Sequence, residues 1–543
     1  MKANLYKVSL ALAPVLALTL AGAGPSDVRA AAYPSDDKTI LHVLNRIGFG
    51  ARPGDVERVR ATGLQKYIDQ QLHPERIADS AMAAHLAGLN TLTLSSSEIM
   101  EQYEKPTREA QQAKKREAAS AGENNEDANK PQLPPELQQK ANRLVADLAA
   151  QKVLRATYSD RQLQEVLVDF WFNHFNVDAR KGRDRFLLTE YDRDVIRPHV
   201  LGKFRDLLEA TAKSPAMLFY LDNWLSADPN GPHLPEQRAR VVRGPFGGAY
   251  IVPPAQRPQA QNQNNPRKGL NENYGRELME LHTLGVDGGY TQKDVTEVAR
   301  AFTGWTIENP RQSASFKFEA RIHDPGPKVV LGHVIKAGGG QSDGEEVLDI
   351  LARHPSTARF ISTKLVRRFV SDTPPASLVD RAAARFTETG GDIREVMRTI
   401  LTSKEFLAPE AYRAKVKAPF EFVVSAVRAM NADVEQAMPL VRTMQQLGEP
   451  LYQCQPPTGY KDTGDAWVNT GALVNRMNFA LQLSSGKVPG VFVDAQQDTD
   501  GEMLIAQMLA GDVSDSTRAT IGKATTPVQM AALTLGSPEF QRR

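Results

Sequence analysis

The stretch that decides the fold is Asn271-Glu-Asn-Tyr-Gly-Arg-Glu-Leu-Met-Glu-Leu-His-Thr-Leu-Gly285, continued after a Gly-rich turn by Tyr290-Thr-Gln-Lys-Asp-Val-Thr-Glu-Val-Ala-Arg-Ala-Phe-Thr-Gly-Trp305. At about 100° per residue, Glu272, Asn273, Arg276, Glu277 and Glu280 share one arc of a helix, and Tyr274, Leu278 and Leu281 face the core. Gly285 stops this helix and Asp287-Gly288-Gly289 turns the chain. Thr291 and Asp294 form a capping box for a second helix. Helix, short turn, helix implies an antiparallel pair.

The polar arc has two readings. In one, Asn273, Glu277 and Glu280 form a pocket wall with acid/base or metal-binding carboxylates. In the other, Glu272, Arg276 and Glu280 form a solvated ladder of ion pairs worth a few tenths of a kcal/mol each. His282 lies about 160° around the helix from Glu280, so the two cannot act as one chelate.

Further patterned segments are Leu44-Asn-Arg-Ile-Gly-Phe-Gly50, Asp169-Phe-Trp-Phe-Asn-His-Phe175, Pro215-Ala-Met-Leu-Phe-Tyr-Leu-Asp-Asn223 and Lys364-Leu-Val-Arg-Arg-Phe369. Together with the central stretch they resemble the bacterial family catalogued as domain of unknown function 1800, from about Thr39 to the C-terminus. The resemblance implies a mostly helical, exported protein without an established activity. It also implies an exported partner of a second family, domain of unknown function 1501, which looks like the alkaline-phosphatase group.

Lys2 and Lys7 precede an apolar run from Val8 to Leu20 and then small residues, the order of a secretory signal peptide. Residues 1–32 are expected to be removed, with cleavage after Ala23 or between Ala30 and Ala32. No twin Arg and no Cys lies near the site, which indicates neither twin-arginine export nor a lipid anchor. No later stretch is apolar enough to span a membrane, so a periplasmic or secreted protein is expected. Net charge is only +2 over 543 residues, which gives nucleic-acid binding no compositional support. The single Cys454 excludes an intramolecular disulfide.

An N-terminal helical part is expected over 33–103, its first helix capped by Asp37. Residues 104–135 carry almost no large apolar side chain and read as a disordered polar insertion, partly an exposed helix. The main helical domain follows over 136–543, with a flexible insertion at 249–268. The runs Phe316–Glu319 and Lys328–Gly332 flank His323-Asp324-Pro325-Gly326 and predict one β-hairpin near 315–336. The fold class is all-α, a single multi-helical body with that hairpin.

His174 shares a helix face with Leu163, Val166, Leu167 and Phe170. It is either a buried histidine satisfied by a partner or a metal ligand or general base in a dry pocket. Asp222 and Asn223 end a helix begun at Ser214-Pro215, where they suit a sugar or metal site or tie the helix end. His323 sits at the predicted hairpin tip, where binding residues often lie. Lys364, Arg367, Arg368, Lys415 and Lys417 read as a solvated basic face. Pro450–Tyr460 is a loop leading to Trp467, which suits a glycan or a packing anchor. No P-loop, dinucleotide fingerprint, nucleophile elbow, HExxH or paired CxxC assigns a cofactor.

Two functions stay open. One is an envelope accessory protein binding a partner protein or polysaccharide through Asn273, Arg276, Asp222, Asn223 and Trp305. The other is a hydrolase, using Glu277, Glu280 and His174 as acid/base groups or His174, Asp222, Glu277 and His323 around a metal. The export reading predicts a mature chain beginning near Ala31 or Tyr33. N-terminal sequencing of the protein from the extracytoplasmic fraction checks it, and an uncleaved cytosolic chain contradicts it.

Overall fold

A computed structural model describes residues 36–120, 134–232, 240–243, 249–252, 269–493 and 501–543. The proposed signal segment, residues 121–133 of the first insertion and residues 253–268 of the second lie outside the described residues. Helices carry most of the described chain, and residues from 35 onward form one unit.

The central pair forms as the pattern predicts, over Glu272–Glu280 and Gln292–Ala301. Asn271 caps the first helix by accepting from Tyr274 N, and Thr291 with Asp294 closes a capping box on the second. Glu272 accepts from Gln292 and Thr296, while Glu280 accepts from Tyr290, so the helices run antiparallel. They approach closely because Gly275 has no side chain: a Cβ there would lie 2.8 Å from Val295 O.

One expected cap is corrected, and the two expected insertions gain detail. Asp36, not Asp37, caps the first helix, accepting from Thr39 N at 3.0 Å. Within 104–135, Lys105–Ser120 is helical, and Glu104 before it is buried against Arg183 at 2.9 Å. Within 249–268, Ala249–Val252 pairs with Arg240–Arg243.

The expected hairpin is corrected as well. Ser315–Phe318 pairs back onto Trp305–Glu308, and Lys328–Val330 pairs forward onto His333–Ile335. The strands expected to flank the His323 turn thus belong to two separate hairpins. Trp305 drives the first: its ring is fully buried between Phe302 and Phe316, and Phe318 lies opposite it in the register. Burying such a ring contributes roughly 4–6 kcal/mol at 25 cal/mol per Å². The second turns through Leu331 (φ 49°) and Gly332 (φ 80°), the two positive φ angles that a two-residue hairpin turn requires.

Between these hairpins the chain dives inward. Asp343 lies 3.1 Å from His323 Nε2 and accepts from Lys328 Nζ at 2.6 Å, all three buried. His323 Nδ1 also donates to Thr303 O at 2.7 Å, which ties this cluster to the end of the central pair. Removing one member of such a cluster leaves an uncompensated buried charge. Asp343→Ala should therefore cost about 3–5 kcal/mol in urea unfolding, and a loss below about 1 kcal/mol would contradict this packing.

Candidate functional site

The Gln162–His174 helix places Asp169, Phe170, Asn173 and His174 on one arc, at spacings of one, four and five residues. The Pro355–Phe369 helix does the same with Lys364, Arg367 and Arg368. These two arcs face a cavity of about 280 Å³. The start of the Pro419–Ala429 helix and the segment from Glu449 to Trp467 complete its wall.

Asn173 holds that segment by its backbone: Nδ2 donates to Tyr460 O at 2.8 Å and Oδ1 accepts from Tyr460 N at 2.7 Å. Gly459 is required beside it, because φ is +72° and a Cβ would meet Asn173 O at 2.2 Å. Asn176 fixes the other end, donating to Cys454 O at 2.8 Å and Pro456 O at 2.9 Å. Burial pushes the Cys454 thiol up to about 11, so it stays an unreactive thiol near neutral pH.

His174 is clamped from two sides. Its Nε2–H donates to His282 O at 3.1 Å, and its Nδ1 accepts from Lys364 Nζ at 2.8 Å. Burial, and then the Lys364 charge, hold the imidazole well below its ordinary value, so it is neutral. Burial also lowers Lys364 to about 8.

Arg368 is the electrostatic centre. It meets Glu421 at 2.8 Å, Asp169 at 3.3 Å and Asp462 at 3.4 Å. Asp169 also pairs with Lys152 at 2.6 Å, and Glu421 with Arg543 at 3.0 Å. Burial alone would raise Glu421, but Arg368 and Arg543 overrule it and hold the carboxyl at about 2. Glu449 is the contrast. It is buried, makes no ion pair among the described residues and accepts from Phe420 N at 2.8 Å. Burial, with Asp169 nearby, raises it to about 8.

The basic run at 364–368 is thus no solvated face: Arg368, Lys415 and Lys417 are buried, and Lys364 and Arg367 are partly so. The remaining sequence candidates do not assemble with His174. Asn273 is exposed, Arg276 donates to Gln292 at 2.6 Å and Glu280 accepts from Tyr290 at 2.8 Å. Glu277 is half-buried, and burial followed by the Glu280 charge raises its carboxyl. Asp222 pairs with Lys181 at 3.2 Å, Asn223 donates to Phe302 O at 3.2 Å, and Trp305 is a core ring. His323 is spent on Asp343 and Thr303. Among the described residues, no three His, Cys, Asp or Glu are grouped to hold a metal ion. His174, Asp222, Glu277 and His323 therefore do not converge.

The family model described as a protein of unknown function (DUF1800) matches residues 42–542. No curated protein and no solved structure matches the chain.

Glu449 gives the cavity a pH signature. Its folded value, about 8, lies above the ordinary 4.5, so its contribution is fully present below about pH 4.5 and is lost as pH rises towards 8. Glu449→Gln removes that titration with little change of shape. Melting temperature against pH should fall between 4.5 and 8 less steeply in the variant than in the wild type, and parallel curves would contradict the assignment.

Proposed function

The chain belongs to the family of proteins of unknown function DUF1800, and from its cavity we propose a saccharide-binding protein of the bacterial envelope, selective for acidic sugars. One observation carries this reading. Lys152, Lys364, Arg367, Arg368 and Lys461 face only Asp169, Glu421, Glu449 and Asp462, and Glu449 keeps its proton up to about pH 8. Lys364, Arg367 and Lys461 have no carboxylate within ion-pair distance among the described residues, and the first two are partly buried. A cation lodged in such a wall without a carboxylate favours an anionic ligand.

Phe170, Phe172, Phe420, Tyr452, Tyr460 and Trp467 line the same space. Aromatic faces and a few fixed polar groups are the usual composition of a small-ligand site. The export half of the proposal rests on the Lys2, Lys7 and Val8–Leu20 pattern. An exported partner of the domain of unknown function 1501 group rests on family resemblance alone.

A second reading uses the same cavity as an acid/base hydrolase site. Glu449 holds a proton near neutral pH while Arg368 and Arg543 keep Glu421 ionised, and such opposed carboxyls are how acid and base roles are divided.

Titration calorimetry with uronic-acid oligosaccharides should show binding that Arg367→Ser and Lys461→Ser each weaken about tenfold, near 1.4 kcal/mol, without unfolding the protein. Neutral oligosaccharides of equal length should bind less. Equal binding of neutral and acidic sugars, or none of either, contradicts the proposal. Release of new reducing ends, lost by a factor of roughly 10²–10⁴ in Glu449→Gln with binding retained, would select the hydrolase.

A further inference from the structure

A second cavity, of about 370 Å³, lies in a trough between two helices, Pro135–Tyr158 and Met438–Gln446. Val145, Ala146 and Ala149 line it from the first helix and Met438 and Val441 from the second, with Leu451 from the adjoining loop. The alanines leave the trough its width, since a larger side chain at 146 or 149 would project into it. This part of the wall is apolar, and its alanines leave a slot.

The polar part of the lining is one-sided in charge. Arg180, Arg185 and Arg442 line the cavity, with Asn142, Gln445 and Gln453 between them, and no carboxylate does. Arg180 is held by Asp178 through bonds of 3.0 Å from both Nε and a terminal nitrogen, and it donates to Gln453 O at 2.7 Å. Arg185 and Arg442 make no hydrogen bond or ion pair among the described residues. Two guanidinium groups therefore stand over an apolar slot with their donors unspent. Guanidinium matches a carboxylate or phosphate through paired N–H groups.

We propose that this trough binds an amphipathic anion, an acyl chain with a carboxylate or phosphate head, the chain lying on Val145, Ala149, Met438 and Val441 and the head against Arg185 and Arg442. This site shares only Leu451 with the saccharide cavity and stands independently of it. A neutral chain would leave the guanidinium donors facing water, and a bare phosphate would leave the apolar wall uncovered. Both parts of the ligand are needed.

Calorimetry on the mature protein with dodecanoate, dodecyl phosphate, dodecanol and inorganic phosphate tests this. Dodecanoate or dodecyl phosphate should bind at least tenfold more tightly than dodecanol and than inorganic phosphate, and whichever is tighter identifies the head group. Arg185→Ser with Arg442→Ser should weaken the tighter ligand at least tenfold. Arg353→Ser, which removes the same charge from an exposed helix end, should not. Circular dichroism should show the double variant folded, as expected for two arginines that anchor nothing. Dodecanol binding as tightly as the anions, an unaffected double variant, or no binding of either anion overturns the proposal.

Discussion

The wall of the cavity is set by one buried imidazole. His174 spends its single N–H on the His282 carbonyl and its lone pair on the Lys364 ammonium, so its ring is fixed in one tautomer and one orientation. Those two bonds join three segments far apart in sequence: the aromatic helix ending at His174, the turn that ends the Glu272–Glu280 helix, and the basic helix at 355–369. A hydrogen bond to a charged group is worth about 1.5–3 kcal/mol and a neutral one about 1, so the clamp is a modest part of total stability. Its larger consequence is positional. The central pair of helices does not form the cavity wall; it braces the residue that does.

Around this clamp the charges are arranged by difference of environment. Arg368 gathers Asp169, Glu421 and Asp462, which keeps Glu421 ionised although it is buried. Replacing such a network by apolar side chains is often neutral or stabilising, so stability alone does not explain its presence. Glu449, left outside the network, becomes a neutral donor, and Lys364, Arg367 and Lys461 are left without carboxylates. The cavity is thus unbalanced toward positive charge while lined by rings, and both functional readings grow from that imbalance.

Much of the fold was legible in the sequence because its causes are local. Helical period and the Thr291–Asp294 box place the central pair without any long-range information, although the first helix ends at Glu280, before the expected stop at Gly285. The hairpin pairing was not legible, since Phe316–Glu319 and Lys328–Gly332 have equal strand character on either side of a good turn. Burial of Trp305 and the two positive φ angles at Leu331 and Gly332 chose other partners. The site was legible in half. His174 was singled out for lying on an apolar face, and the structure buries it there with both ring nitrogens bonded. The basic run was misread because charge suggests solvent, whereas Ile361, Leu365 and Phe369 around it already showed a helix enclosed by neighbours. Glu449 gave no local signal, because its environment comes from Phe420 and Asp169.

The clamp is open to direct observation by ¹⁵N NMR of the protein labelled in histidine and assigned with His174→Gln. His174 should stay neutral, protonated on Nε2 and not on Nδ1, from pH 5 to 8. An imidazolium forming near the ordinary value of 6.5, or the Nδ1–H tautomer, would contradict it.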